Sequence, residues 1–193
     1  STIHFALMPL SIDTKSSVEE FLKEGINVNE FDHTGMAPLH TATRYFAPPN
    51  VIEMLISYGA DINLEESKEK MSPLHFAAEW KRNQIAKVLI DHGAKVNSKD
   101  INADTPFHLA IKCHMNLGWD ESKGVINLLI ENGADLNLMS KVLSSYPLHY
   151  VVFFNEIEIA KLLVDKGADL NLIDKNGESV LDVAIHNDSD LID

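Results

Sequence analysis

Apolar residues along this chain fall into short helical stripes that come in pairs. Leu74 and Ala77 form an i,i+3 pair, and Ile85, Val88 and Leu89 an i,i+3,i+4 set on a following segment. The second kind of stripe returns at Val125, Leu128 and Leu129, and again at Ile159, Leu162 and Leu163. Each stripe predicts an amphipathic helix too short to bury its apolar face alone, so the helices must pair and the pairs must stack.

Two sets of markers run in step with these stripes. Gly59-Ala60-Asp61, Gly93-Ala94-Lys95, Gly133-Ala134-Asp135 and Gly167-Ala168-Asp169 lie 34, 40 and 34 residues apart, and Asn63, Asn97, Asn137 and Asn171 follow them at a constant offset. Gly25 to Asn29 is a degenerate earlier copy. Interleaved with them are Pro38-Leu39-His40, Pro73-Leu74-His75, Pro106-Phe107-His108 and Pro147-Leu148-His149, with Val180-Leu181-Asp182 as a worn final copy. Proline opens each first helix, where its missing N–H costs nothing, and glycine closes each second helix as a left-handed cap.

This arrangement resembles the ankyrin repeat, in which a turn or β-hairpin leads into a first helix opened by Thr-Pro-Leu-His and a second helix ends in Gly-Ala-Asp. The resemblance covers almost the whole chain, although only Thr105 keeps the threonine and Ala37, Ser72 and Tyr146 replace it elsewhere. It implies an all-α solenoid of helix-turn-helix units joined by β-hairpins or turns. The expected units are an N-terminal capping unit over 1–31, repeats over 32–63, 64–97, 98–137 and 138–172, and a truncated unit over 173–193. Asp32-His33-Thr34-Gly35 and Asp174-Lys175-Asn176-Gly177 keep the family hairpin pattern Asp-x-x-Gly; the three middle hairpins lose the glycine and are expected to be irregular. The 98–137 repeat is long by an insertion at about 113–124, which would extend its first helix or form a loop.

Composition narrows the function. With 16 basic and 29 acidic residues the formal charge is -13, which repels nucleic acid and anionic membrane surfaces. Apolar content of 45% is that of a folding chain, yet no apolar run reaches the roughly 20 residues of a membrane-spanning helix. A lone Cys113 excludes an internal disulfide and fits a reducing compartment, so the expected location is cytoplasmic, or the host cytoplasm for a protein secreted by a pathogen or symbiont. Ser1 at the start and a final helix that stops at Asp193 read as an excised fragment.

Candidate chemistry is sparse. His40, His75, His108 and His149 recur once per unit, about 10 Å apart by helix-packing distances, which is too far to share one zinc. In the ankyrin family this histidine bonds backbone near the hairpin. Cys113 and His114 are adjacent on a helix and point about 100° apart, a poor arrangement for a nucleophile and its base. There is no phosphate loop and no zinc-protease motif, and no metal, cofactor or catalytic residue is expected. The asparagines at 63, 137 and 171 resemble those hydroxylated in some animal ankyrin repeats, and each side chain can bridge turn backbone.

The resemblance implies a concave surface, made by the hairpin tips and the ends of the first helices, that meets a partner protein. Registering each Pro-Leu-His places Arg44 and Tyr45, Glu79 and Trp80, Lys112 and Cys113, and Phe153 and Phe154 at equivalent sites there. Met36, Met71 and Asp104 occupy the preceding hairpin site, His33 and Thr34 the first tip, and Trp119 the insertion. Aromatics and methionine bury much area at modest entropic cost, so the expected function is a protein-protein interaction module, stand-alone or host-directed, with a monomer favoured. The alternative is the recognition arm of a larger enzyme, toxin or channel.

Overall fold

The computed structural model describes residues 2–7, 14–117 and 119–190, and it is all-helical: among the described residues the backbone forms no strand, only an isolated bridge between Ile173 and Ser179. Helices α1 (Thr2–Ala6) and α2 (Thr14–Lys23) make the first pair. Then come α3 (Pro38–Arg44) with α4 (Pro49–Ser57), α5 (Pro73–Glu79) with α6 (Asn83–Asp91), α7 (Pro106–Leu117) with α8 (Trp119–Glu131), and α9 (Pro147–Phe153) with α10 (Ile157–Asp165). Helix α11 (Val180–Asp190) packs on α9. First helices stack on first helices and second on second, and one apolar core runs from Ile3 to Val180. Each stripe is thereby buried by a neighbour, as short helices require.

The histidines make the stack cooperative. In three units the ring Nδ1 accepts the backbone N–H of the helix N-cap: Ala37 to His40 at 3.1 Å, Ser72 to His75 at 3.0 Å and Thr105 to His108 at 3.2 Å. The hydrogen must then sit on Nε2, which donates across to the next unit. His40 reaches the Leu64 carbonyl at 2.8 Å, His75 that of Asp104 at 3.1 Å, His108 that of Leu138 at 3.0 Å and His149 that of Glu178 at 3.1 Å. His4 in α1 joins the same series, donating to the Met36 carbonyl at 2.8 Å. Thr2-Ile3-His4 stands in register with Pro38-Leu39-His40, a signal that the sequence reading passed over.

Asn29, Asn63, Asn97 and Asn137 bond turn backbone as expected, but the turn belongs to the following unit, whereas the Asn171 side chain donates to the Asp169 carboxylate of its own turn. Asn29 accepts the Asp61 N–H at 2.8 Å and donates to the Gly59 carbonyl at 2.9 Å; Asn63 does the same to Lys95 and Gly93, and Asn97 to Asp135 and Gly133.

The middle turns are not irregular, which corrects the expectation drawn from their missing glycines. All five turns place one residue in the left-handed region at the same point: Gly35, Lys70, Ala103, Ser144 and Gly177. Each of the last four also donates one backbone N–H to the turn before it, Ser67 to Gly35, Ile101 to Glu69, Lys141 to Asn102 and Lys175 to Ser144. Asp32, Asp100 and Asp174 hold the five-residue turns by accepting two backbone N–H groups on one carboxylate oxygen. Two turns have an extra residue: in one the longer Glu66 takes this role, accepting from Lys68, Glu69 and Met71, and in the other Ser140 accepts the Leu143 N–H at 3.2 Å.

Left-handed backbone costs an L-residue about 1 kcal/mol, so Ala103 at φ 59° carries strain that glycine would remove. Ala103→Gly is expected to stabilise by about 0.5 kcal/mol once the added freedom of the unfolded chain is subtracted. Gly35→Ala is expected to destabilise by more than about 1 kcal/mol, because its Cβ would lie 1.8 Å from Ser67 Oγ as well as sit at φ 89°. Denaturant midpoints check both; equal effects of the two changes would refute the account.

The insertion extends both helices of its unit. Helix α7 has 12 residues where α5 has 7, and α8 has 13 where α6 has 9. Gly124 inside α8 admits the Asn83 amide at the start of α6, which a Cβ would meet at 1.9 Å.

Candidate partner-binding face

Among the described residues, the turns and the ends of the first helices line two clefts on the side expected to be concave. The first, of about 240 Å³, lies between the turns preceding α3 and α5. Its floor is a small apolar cluster of buried Met36, Met71 and Phe76, with Tyr45 packed against it. Arg44 and Thr34 line one side, Lys68, Glu69, Glu79 and Trp80 the other. The Arg44 guanidinium lies 3.8 Å from the Met36 sulfur and 5.6 Å from the Tyr45 ring centre. Burial pushes the Glu79 carboxyl above its usual range although Arg44 draws it down. Desolvation outweighs the distant cation here.

The equivalent place in the next unit holds an ion pair. Asp104, at the position of Met36 and Met71, is buried and paired with Lys112, which comes from the site equivalent to Arg44 and Glu79. Cys113 donates its S–H to the Glu79 carbonyl, tying α7 to the end of α5. Burial raises the Cys113 thiol, with the Glu79 charge adding to it, so no reactive thiolate is favoured. The side chains of His114 and Trp119 fall outside the described residues, as does any pairing of Cys113 with His114.

The second cleft, of about 320 Å³, opens between α9 and the turns preceding α9 and α11. Tyr150, Phe153 and Phe154 line it, joined edge to face with ring centres 4.8 Å (Tyr150 to Phe154) and 5.1 Å (Phe153 to Phe154) apart. Phe153 and Phe154 are 59% and 47% exposed, and Trp80 in the first cleft is 43% exposed. Large aromatics left open on a rigid face mark interaction surfaces more often than isolated exposed residues do.

Of the residues selected from sequence, the structure brings Thr34, Met36, Arg44, Met71, Glu79 and Trp80 to one cleft and Phe153 and Phe154 to another. Met36, Met71 and Asp104 are buried rather than displayed at the tips, because the methionines pack with Phe76, Tyr45 and Leu109 and Asp104 pairs with Lys112, and His33 is exposed on its turn. Sequence reading missed Phe76 and Tyr150, both two residues past a marker leucine, and Glu66. Among the described residues no three metal-ligating side chains converge, and no helix is long and apolar enough to cross a membrane.

Comparison with known proteins agrees with this architecture. A family model described as ankyrin repeats in three copies matches residues 64–138 and 119–193, and a single ankyrin repeat matches 34–64. The chain is 34% identical over 167 residues to an ankyrin repeat protein of Acanthamoeba polyphaga mimivirus, covering 86% of this chain and 21% of that protein. It is 29% identical over 143 residues to an ankyrin repeat protein of fowlpox virus, covering 70% of this chain and 40% of the relative. It is 29% identical over 193 residues to human palmitoyltransferase ZDHHC13, covering the whole chain and 29% of that protein. The chain thus spans between about a fifth and two fifths of the length of these relatives. With the family pattern matched from residue 34 to residue 193 and the repeat geometry present in each unit, this chain belongs to the ankyrin-repeat family.

Proposed function

We propose that the chain is a protein-interaction module that binds a partner protein on its concave face, through the two clefts and the turn tips, without chemistry of its own. The observation that carries this reading is the exposure of Trp80, Phe153 and Phe154 beside preformed clefts on one side of a rigid stack. Rigid aromatic anchors lose little entropy on binding, and the acidic excess steers a partner with a basic rim. The viral relatives favour a host-directed adaptor working inside a cell. A second reading, that the repeats are the recognition arm of a longer enzyme, toxin or channel, is favoured by the small share of each relative that the chain covers.

The test compares wild type with a Trp80→Ala, Phe153→Ser variant whose helicity is verified by circular dichroism. A photo-crosslinker at position 80 is expected to capture the partner, and one at the solvent-facing Lys87 of α6 is not. Loss of two anchors is expected to weaken binding at least 30-fold, equivalent to roughly 2 kcal/mol. Unchanged affinity in the folded variant, or capture from position 87 alone, would move the site off the concave face.

A further inference from the structure

The second cleft differs from the first in its charge. Arg44 and Lys68 stand in the first. Among the described residues lining the second there is no lysine or arginine, whereas the acidic residues Asp174 and Glu178 line it opposite Tyr150, Phe153 and Phe154. The Asp174 carboxylate is engaged by its own turn, accepting from Asn176 and Glu178 backbone N–H groups at 2.8 and 3.0 Å. Glu178 lines the cleft as well, and His186 Nδ1 approaches its Oε1 at 2.9 Å.

The cleft is held in this form from behind. The Asn187 amide of α11 donates to the Val152 and Phe153 carbonyls at 3.1 and 2.7 Å, fixing the end of α9 from which the phenylalanines project. The backbone that carries the rings is thereby fixed before a ligand arrives, which lowers the entropic cost of binding. A volume of about 320 Å³ stands at the bottom of the range for drug-sized ligands, so a single long side chain suits it better than a folded element.

An aliphatic stem fits the apolar part, and a terminal cation fits the electron-rich ring faces together with the carboxylate. We propose that this cleft receives a long basic side chain, arginine or lysine, from an extended segment of the partner protein. This rests on the concave face being the binding surface, and it adds the chemistry of one anchor.

The experiment titrates the full 193-residue chain with acetyl-Gly-Leu-Xaa-Leu-Gly-amide peptides, Xaa being Arg, Lys, citrulline or Glu, while following the aromatic NMR signals of Tyr150, Phe153 and Phe154. The Arg and Lys peptides are expected to shift those signals with Kd at least about five-fold below that of the citrulline peptide, a neutral isostere of Arg, and the Glu peptide to bind weakest. Glu178→Gln and Phe154→Leu, each checked for folding by circular dichroism, are expected to shrink the preference for Arg over citrulline. Equal affinity for Arg and citrulline with the same ring shifts would overturn the cationic anchor while leaving the concave face as a binding surface. Absence of ring shifts with the Arg peptide, in a chain that still loses its partner on Trp80→Ala, would overturn it too. Arg-selective ring shifts combined with partner capture from position 87 alone would uphold the cleft and sink the concave-face reading instead.

Discussion

Lowering the pH from 7 to 5 is expected to destabilise this protein by about 2 kcal/mol, above the range in which most carboxylates titrate. The cause is the set of histidines that hold neighbouring units together. Burial lowers the pKa of His75 to about 4, against the pull of the nearby Asp104 and Glu65 charges. His40 and His108 are lowered by burial in the same way, as is His4, despite carboxylates beside each. The geometry agrees, since a proton on Nδ1 of His40, His75 or His108 would face a backbone N–H instead of accepting from it.

The sign follows from linkage. Between the unfolded histidine value near 6.5 and the lower folded one, the unfolded chain binds more protons, so stability rises with pH there and falls on acidification. At pH 5, His75 alone contributes a loss of about 2 kcal/mol, from roughly 1.5 pH units at 1.36 kcal/mol each, and the other three act in the same direction. Asp100 and Glu79, raised by burial, act oppositely as they take up protons. Denaturant unfolding at pH 7 and pH 5 measures the effect. His75→Gln is expected to be less stable at pH 7 and to lose about 2 kcal/mol of the pH dependence. A stability that stays flat between pH 7 and 5 would show that the inter-unit histidines do not need to be neutral.

Phe107→Ala is expected to cost about 3–5 kcal/mol, a large share of the roughly 5–15 kcal/mol that holds a domain folded. Phe107 is fully buried in the middle unit, at the position that Leu74 and Leu148 fill in its neighbours. A solenoid is stabilised unit against unit, so a cavity there weakens both flanking contacts and is expected to split one unfolding transition into two. Leu181 occupies the same position in the last unit but is 68% exposed, and Leu181→Ala is expected to change stability by under about 0.5 kcal/mol. Circular dichroism across a urea series separates the two variants, and a Phe107→Ala loss below about 1 kcal/mol would contradict central packing.

Leu181 against Phe107 also shows where reading a sequence stops. Both residues follow a helix-opening position in the repeat pattern, and nothing in their own segments says that one is covered and the other open. The same holds for the tip position occupied by Met36, Met71 and Asp104, which the pattern puts on display and the fold buries. Phe153 and Phe154, at the ends of their helix, remain open as the register implied.

The amino-acid sequence by itself determined the units, the helix pairs, the proline starts and glycine stops, and the register that brings candidate residues to one side. These follow from local periodicity, because an apolar stripe, a fixed φ at proline and a missing Cβ at glycine act within a few residues. Only the tertiary structure decided which turn each histidine and asparagine bonds, how Glu66 and the left-handed Lys70, Ala103 and Ser144 keep turns regular without glycine, and where the candidate face opens in clefts and where Asp104 pairs with Lys112 instead. Burial and pairing depend on how closely the next unit approaches, and that distance is set by the packed side chains of both units together, not by either segment's own pattern.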